Sequence, residues 1–176
     1  GLWWPGAAAG GLLTILVINV AKRNGVMHTF DRFSVFLLPL SVAFWLAAWS
    51  GGVAYGARVD AGAWWGLPAL DVNGITAQRF PVQLLAAVTL AGTLGGIEWL
   101  WKQPAASGRR MGVTLLVLSA HTLLFSALRA DPSQQFIGIR FDVWAAILLG
   151  ILSASLLAST FDVKSRETGT EKEPSE

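Results

Sequence analysis

Three polar residues at fixed spacing stand where a polar stretch gives way to a long apolar run. They are Arg79, Pro81 and Gln83 of the segment QRFPVQL, and the apolar run continues to Leu100. An arginine at such a boundary offers a planar fork of donors that suits a phosphate group. Pro81 suits a first helical turn, where its missing N–H would lack a partner in any case. Arg79 and Gln83 are four residues apart, so a helix that begins early enough would put both on one face.

A second explanation of the same pattern needs no ligand. Arg79 then lies at a membrane boundary with its charged end in water, and Pro81 begins a helix. Gln83 then hydrogen-bonds a neighbouring helix. Spacing alone leaves both explanations open.

The composition places the chain in a membrane. Of its 176 residues, 53% are hydrophobic and 14% are charged, whereas globular domains have about 45–50% apolar and about 25% charged residues. Several apolar runs approach the roughly 20 helical residues that a bilayer core requires. The five runs are residues 2–20, 33–49, 81–101, 111–128 and 143–161. We therefore predict an all-α fold, a polytopic membrane bundle of about five transmembrane helices.

The distribution of basic residues predicts the orientation of this bundle. Lysines and arginines follow the first, third and fifth runs, and the positive-inside rule places those segments in the cytoplasm. The chain then begins outside and ends inside. Its first residue is Gly and the first run begins at once, so we expect earlier helices to precede it. We assign residues 1–163 to the transmembrane domain, and the polar composition of residues 164–176 predicts a disordered cytoplasmic tail.

The connection between the second and third runs is unusually long for a membrane bundle. Connections of this length without regular structure are usually functional or disordered. Its apolar residues, among them Tyr55, Trp64 and Trp65, favour a segment packed at the outer membrane interface over a disordered one. The connection then brings Arg79 to the start of the third run, which places a candidate site on the outer side.

Several classes of function are disfavoured by residue types. The chain has no cysteine, so it has no disulfide, no thiolate nucleophile and no cysteine metal site, and any thiol must come from a substrate. The formal net charge of +2 is small and the basic residues are scattered, so we expect no nucleic-acid partner. Metal ligands do not occur at a recognisable spacing, and we predict neither a metal site nor a cofactor.

His121 is the candidate base, because an ionisable residue inside a membrane helix is a functional candidate. The alternative is a neutral histidine that is hydrogen-bonded across helices. Two acidic residues have structural explanations. Glu98 stands four residues before Lys102, which predicts an ion pair, and Asp131 stands before Pro132, which predicts a turn.

The order of these features resembles the later five helices of prolipoprotein diacylglyceryl transferases, bacterial inner-membrane enzymes of seven helices. The resemblance covers nearly the whole chain apart from its tail, and R-x-P-x-Q-L with the ordered spacing contributes most to it. The matching segments are GLWWPGAAAGGLL, AKRNG, AFWLAAWSGGVAYGAR, WWGLPA, RFPVQL and LRADPSQQF.

The resemblance implies a multi-pass protein of the bacterial inner membrane with a long periplasmic connection. It implies transfer of diacylglycerol from phosphatidylglycerol to the thiol of a lipobox cysteine in a prolipoprotein, with release of glycerol-1-phosphate. Its partners would be phosphatidylglycerol, the lipobox peptide and the lipid bilayer. Carried over residue by residue, Arg79, Gln83 and Arg129 would bind the phospholipid, and His121 is the candidate catalytic residue.

The chain departs from the family at several signature positions. Pro5 to Ala7 stand in place of H-G-G, and Trp45 stands in place of a signature arginine. Other departures are Ala48 and Gly51 in place of two asparagines, and Thr122 and Ser126 in place of an arginine and a glutamate. Losing one oriented donor costs a transition state about 3 to 4 kcal/mol. Three functions therefore remain open: a divergent transferase, a catalytically inactive relative that binds phospholipid or a membrane partner, and an unrelated five-helix membrane protein.

Overall fold

The computed structural model describes residues 10, 11, 13, 14, 17, 26–101 and 108–170. Within these residues the chain forms four long helices and two short antiparallel hairpins. The helices are α1 (Val26–Ser50), α2 (Val82–Leu100), α3 (Arg109–Leu128) and α4 (Phe141–Thr170). The strands are β1 (Leu67–Leu70), β2 (Thr76–Arg79), β3 (Gln135–Phe136) and β4 (Ile139–Arg140).

All four helices contain a segment that is long and apolar enough to cross a membrane. These segments are Thr29–Ser50, Val82–Leu100, Arg109–Leu128 and Phe141–Thr160. They confirm the helical prediction for four of the five apolar runs. The first run, residues 2–20, lies mostly outside the described residues. Helix α4 continues to Thr170, beyond the end at residue 161 that the apolar run predicts.

The helices pack as two antiparallel pairs that share a core. Helix α1 packs on α2 and α3 packs on α4, and α3 also contacts both α1 and α2. The main apolar core includes Trp45, Val82, Leu90 and Phe125. Residues from three helices thus enclose one core, with α4 packed on its outer side.

Small residues and hydroxyls set the close approach of α3 to α4. Ser119 Oγ donates to the Ala146 carbonyl at 2.7 Å, and Ser153 Oγ donates to the Gly112 carbonyl at 2.7 Å. A Cβ at Gly112 would lie 2.9 Å from the Leu157 side chain. The hydroxyl of Ser153 therefore joins two helices, as small polar side chains do in membrane bundles.

The two hairpins lie at one end of the bundle, which we call the hairpin end. The segment 51–81 joins α1 to α2 and contains β1 and β2, with Leu67 opposite Arg79. The segment 129–140 joins α3 to α4 and contains β3 and β4. The two connections meet where the Ala130 N–H donates to the Tyr55 carbonyl at 2.8 Å. An all-α prediction omits these strands, which are too short to show a periodic pattern.

The opposite end of the bundle has two polar contacts of its own. The Asp31 carboxylate, on α1, accepts hydrogen bonds from the N–H groups of Gly108 at 2.8 Å and Met111 at 2.9 Å. It therefore caps the first turn of α3 from a different helix. Glu98 forms an ion pair with Arg110, whereas Lys102, the partner that spacing predicts, lies outside the described residues.

Candidate functional site

One backbone segment, Val53–Gly56, brings together the three residues predicted to bind phospholipid. Arg79 Nη1 donates to the Gly56 carbonyl at 3.4 Å, and Gln83 Nε2 donates to the Val53 carbonyl at 2.9 Å. Arg129 forms an antiparallel β-bridge with Gly56. Residues that are up to fifty positions apart in the chain therefore surround a single turn of backbone at the hairpin end.

Arg79 and Gln83 do not share a helix face, so that prediction is wrong. Helix α2 begins at Val82 after Pro81, which occupies the cap position. Arg79 belongs to strand β2, where pairing with Leu67 keeps its backbone extended. The two side chains reach the segment Val53–Gly56 from a strand and from a helix.

The guanidinium of Arg79 is held on several sides inside the protein. The side chain is only 5% exposed. Its Nη2 donates to Asp71 Oδ2 at 3.0 Å, and its guanidinium carbon lies 4.1 Å from the centroid of the Tyr55 ring. The Tyr55 face attracts the cation because the ring is electron-rich. Arg79 Nε is buried without a hydrogen-bond partner in the described part of the chain.

Asp71 is the anion that holds Arg79 and also shapes the β1–β2 turn. Its Oδ1 accepts the N–H groups of Ile75 at 3.0 Å and Asn73 at 2.9 Å. The hydrogen bond from Ile75 lowers the pKa of Asp71 most, and that from Asn73 and the charges of Arg79 and Arg58 lower it further, against the effect of burial. Asp71 is therefore ionised at neutral pH.

Arg58 is the most exposed cation of this group. Its Nη2 lies 3.7 Å from Asp71 Oδ2, and its side chain is 62% exposed. It pairs with Asp71 more weakly than Arg79 does, because the distance is longer and water screens the contact.

A second set of ion pairs lies on the other connection. Arg129 binds Asp131 in bidentate fashion, at 2.8 Å from Nε and 2.7 Å from Nη2. Its Nη1 donates to Asp142 at 2.8 Å. Arg140 Nη2 donates to Asp131 at 3.2 Å. Asp131 thus binds two guanidinium groups, a role that its position before Pro132 did not predict.

Burial and pairing act in opposite directions on these charges. Burial by itself lowers the pKa of Arg129, but the hydrogen bond and the negative charges of Asp131 and Asp142 outweigh it, so that its pKa is raised. Burial by itself raises the pKa of Asp131, but Arg129 and Arg140 lower it overall. Both groups therefore stay charged at neutral pH.

Six buried side-chain polar atoms near this end lack hydrogen-bond partners among the described residues: Gln78 Oε1, Arg79 Nε, Gln83 Oε1, Ser126 Oγ, Ser133 Oγ and Arg140 Nε. Gln83 Oε1 has none, although its Nε2 is bonded. Ser126 Oγ, where the resemblance implies a glutamate, has none either. Buried polar atoms are nearly always paired with protein or water. These atoms can therefore accept or donate hydrogen bonds to a bound polar molecule.

His121 lies away from the ion pairs. Its Nε2 is 3.1 Å from the Ala86 carbonyl oxygen and 3.2 Å from Thr89 Oγ1, so it joins α3 to α2. A carbonyl only accepts, so Nε2 carries the proton. The ring stacks on Phe125 with centroids 4.4 Å apart, and it lies eight residues before Arg129, about 12 Å along the helix axis.

Trp45, where the resemblance implies an arginine, is part of the same aromatic group. Its ring centroid lies 6.1 Å from that of His121 and 5.9 Å from that of Phe125. These contacts around His121 stabilise the helix pairing.

The sequence reasoning missed most of the anions in the site. Asp71 has a local signal, because D-V-N-G between two apolar stretches is typical of a hairpin turn. Asp142 has none, since only the packing of the connection brings it to Arg129. Within the described ranges no group of three or more His, Asp or Glu side chains is placed to hold a metal ion.

No family model matches the chain, and no curated protein matches it. The resemblance to diacylglyceryl transferases therefore depends on the residues quoted above.

Proposed function

We propose that the protein is a diacylglyceryl transferase-like protein of the bacterial inner membrane that binds an anionic phospholipid, phosphatidylglycerol, at the hairpin end. In this proposal it is a binding protein and not a catalyst. The chemistry that supports it is a group of guanidinium side chains at one end of the membrane helices, because a guanidinium binds a phosphate group in bidentate fashion.

The main support for the proposal is the composition of the two sets of ion pairs at the hairpin end, which we call the ion-pair cluster. Its ion pairs join four arginines to three aspartates, so two of the arginines share one aspartate, whereas the exposed Asp60 of the same connection is not among these pairs in the described residues. The arginines are Arg58, Arg79, Arg129 and Arg140, and the aspartates are Asp71, Asp131 and Asp142. The shared aspartate is Asp71, which pairs with both Arg58 and Arg79, whereas Arg129 and Arg140 have two aspartates between them.

Each residue has a separate part in this proposal. Arg58 contacts the lipid phosphate, because it is exposed and only weakly paired. Arg79 lies beneath it and supplies a second positive charge, with its Nε still able to donate. Gln83 and Arg129 hold the segment Val53–Gly56 in place, and Gln83 Oε1 is available to accept a hydrogen bond from a head-group hydroxyl.

The lipid preference of the purified protein in mixed nanodiscs tests the proposal. Lipids retained by the protein are counted by native mass spectrometry, with phosphatidylglycerol and phosphatidylcholine of equal chain length in equal amounts. We expect phosphatidylglycerol to be enriched, and Arg58→Ala to remove most of the enrichment. Arg32→Ala is the matched control, since Arg32 is exposed near the opposite end, on α1. An Arg58→Ala protein that keeps the full enrichment would rule out this phosphate contact.

Transfer of diacylglycerol to a lipobox cysteine is the second candidate function. It is favoured by the gathering of Arg79, Gln83 and Arg129, the residues that the resemblance assigns to the phospholipid, around one segment. In that reaction a substrate thiolate attacks the glycerol carbon, the carbon–oxygen bond to phosphate breaks, and glycerol-1-phosphate leaves.

A transfer assay separates the two candidates. The protein is mixed with phosphatidylglycerol and a lipobox-cysteine peptide, and thioether-linked diacylglycerol is followed by mass spectrometry. Product that disappears in Arg79→Ala supports the transferase. Retained phosphatidylglycerol enrichment without product supports the binding protein.

A further inference from the structure

The β3–β4 hairpin has an unusual residue at its tip. Its two-residue turn is Ile137–Gly138, with φ angles of +54° and +71°. Turns with two positive φ angles join hairpin strands well, and they strongly prefer Asn-Gly. A β-branched residue in this conformation is a real outlier, because its Cβ crowds the backbone. Such strain persists where the side chain has a use.

The strained residue belongs to an exposed apolar tip. Ile137 is 77% exposed and Phe136 is 56% exposed, and Ile139 beside them is also exposed. The hairpin is nevertheless held in place, since Trp144 Nε1 donates to the Phe136 carbonyl at 3.1 Å. Its cationic residue, Arg140, points to Asp131. The tip therefore presents apolar side chains on a fixed support.

The position of the tip decides what covers it. Ile137 precedes Phe141, where the membrane segment Phe141–Thr160 begins, by four residues. Four residues reach at most about 14 Å even when extended. On the other side, Arg129 directly follows the membrane segment of α3 and lies eight residues before Ile137. The hairpin strands have two residues each and rise about 3.4 Å per residue, so the tip stands about 7 Å from the start of α4. This distance matches the roughly 5–8 Å of head-group region on each side of the bilayer core.

We propose that the β3–β4 tip inserts into the lipid leaflet at the hairpin end, with Ile137 and Phe136 among the head groups and upper acyl chains. The inserted tip holds the ion pairs of Arg129 and Arg140 at head-group depth. The proposal is independent of the phosphatidylglycerol site, because it needs only that α3 and α4 cross the membrane. Burial of the exposed apolar area compensates for the strained turn.

Spin labels on single cysteines test the insertion directly. The chain has no native cysteine, so Ile137→Cys carries one label when the protein is reconstituted in phosphatidylcholine nanodiscs. Leu148→Cys, exposed on the membrane segment of α4, is the reference for lipid. Asp60→Cys, exposed in the α1–α2 connection, is the reference for a polar surface residue.

Collision of each label with molecular oxygen and with a water-soluble nickel chelate reports its depth. We expect the label at position 137 to collide with oxygen several-fold more, and with nickel several-fold less, than the label at position 60. Equal collision with nickel at positions 137 and 60 would overturn the insertion. Protection from both reagents would also overturn it, because a protein surface, such as a second copy of the chain, would then cover the tip.

A substitution at the tip separates insertion from a role in folding. Asparagine tolerates positive φ, so Ile137→Asn should unfold at the same or a higher temperature than the wild type. The label is now placed at Ile139→Cys in both backgrounds. We expect its nickel collisions to rise at least twofold when residue 137 is asparagine. An unchanged label at position 139 would show that Ile137 does not hold the tip in lipid.

Discussion

Gly56 lies where the three predicted phospholipid-binding residues meet, and a methyl group there should disrupt the site. A Cβ at Gly56 would lie 2.5 Å from the Phe80 carbonyl oxygen and 2.7 Å from Val82 Cγ2. Ordinary carbon–oxygen contacts are about 3.3 Å or longer, so one group must move by about 0.8 Å. The oxygen is part of the backbone between β2 and α2, where the Phe80 N–H donates to the Ala57 carbonyl at 3.0 Å.

The magnitude follows from this overlap. Added methyl groups in packed regions cost about 1–3 kcal/mol, and we expect Gly56→Ala at the upper half of that range because its neighbour is backbone. For a chain of this length each kcal/mol lowers the unfolding temperature by about 2–4 °C. We therefore expect unfolding roughly 4–12 °C below the wild type. Phosphatidylglycerol enrichment should fall too, since Arg79 and Arg129 both contact Gly56.

Thermal unfolding in nanodiscs measures this effect through the nine tryptophans of the chain. Gly62→Ala is the matched control, because a Cβ at Gly62 meets no atom within 4 Å. Its stability should change by less than about 0.5 kcal/mol. Equal unfolding temperatures for the two variants would refute the close approach of Val53–Gly56 to the β2–α2 junction. They would also refute the arrangement of Arg79, Gln83 and Arg129 around that segment.

Three further outcomes are expected. Asp31→Ala should lower the free energy of unfolding by about 1 kcal/mol because the α3 N–H groups lose their cap. Asp31→Asn should restore only part of it in thermal unfolding, because its amide has one acceptor oxygen for two N–H groups; a wild-type value for Asp31→Ala would contradict the cap. The pKa values of Asp71 and Asp131 are lower than the ordinary 3.8 in the folded protein, so their stabilisation is complete above that pH and is lost as the pH falls through the lowered values. As far as these groups contribute, the unfolding temperature should therefore be nearly constant from pH 8 to about pH 5 and fall below about pH 4. The fall in acid should be shallower for Asp131→Asn. Identical acid profiles of the wild type and this variant would exclude a contribution from Asp131. His121→Phe keeps the ring contacts and removes the hydrogen bond to Ala86, so stability should drop by about 0.5–1.5 kcal/mol while phosphatidylglycerol enrichment is unchanged; lost enrichment would place His121 in the lipid site.

The membrane helices are the part of the fold that a reader of the sequence can predict. Runs at 33–49, 81–101, 111–128 and 143–161 coincide with α1 to α4 within a few residues at most ends. Length and apolar content decide whether a segment crosses a bilayer, and both are properties of a single stretch of chain. The two hairpins escape prediction because their strands are short and Pro68 lies within β1.

In the candidate site, too, the sequence indicates some residues but not the contacts that they make. Arg79 and Gln83 are recognisable from their spacing, but they do not share a helix face, because strand β2 extends through Arg79. His121 is recognisable as an ionisable residue in an apolar run, yet its partner, the Ala86 carbonyl, is a main-chain group of another helix. Main-chain partners have no signature in the sequence.

The sequence by itself determined that four described segments are apolar helices of membrane-spanning length and that arginines follow or precede them. Only the tertiary structure decided that Arg79 is held by Asp71 and Tyr55, that Arg129 is held by Asp131 and Asp142, and that Arg58 is left exposed. Hydrophobic burial depends on how many apolar residues a stretch contains, so it can be read along the chain. An ion pair depends on a distance of a few ångströms between two side chains, and turns and packing set that distance.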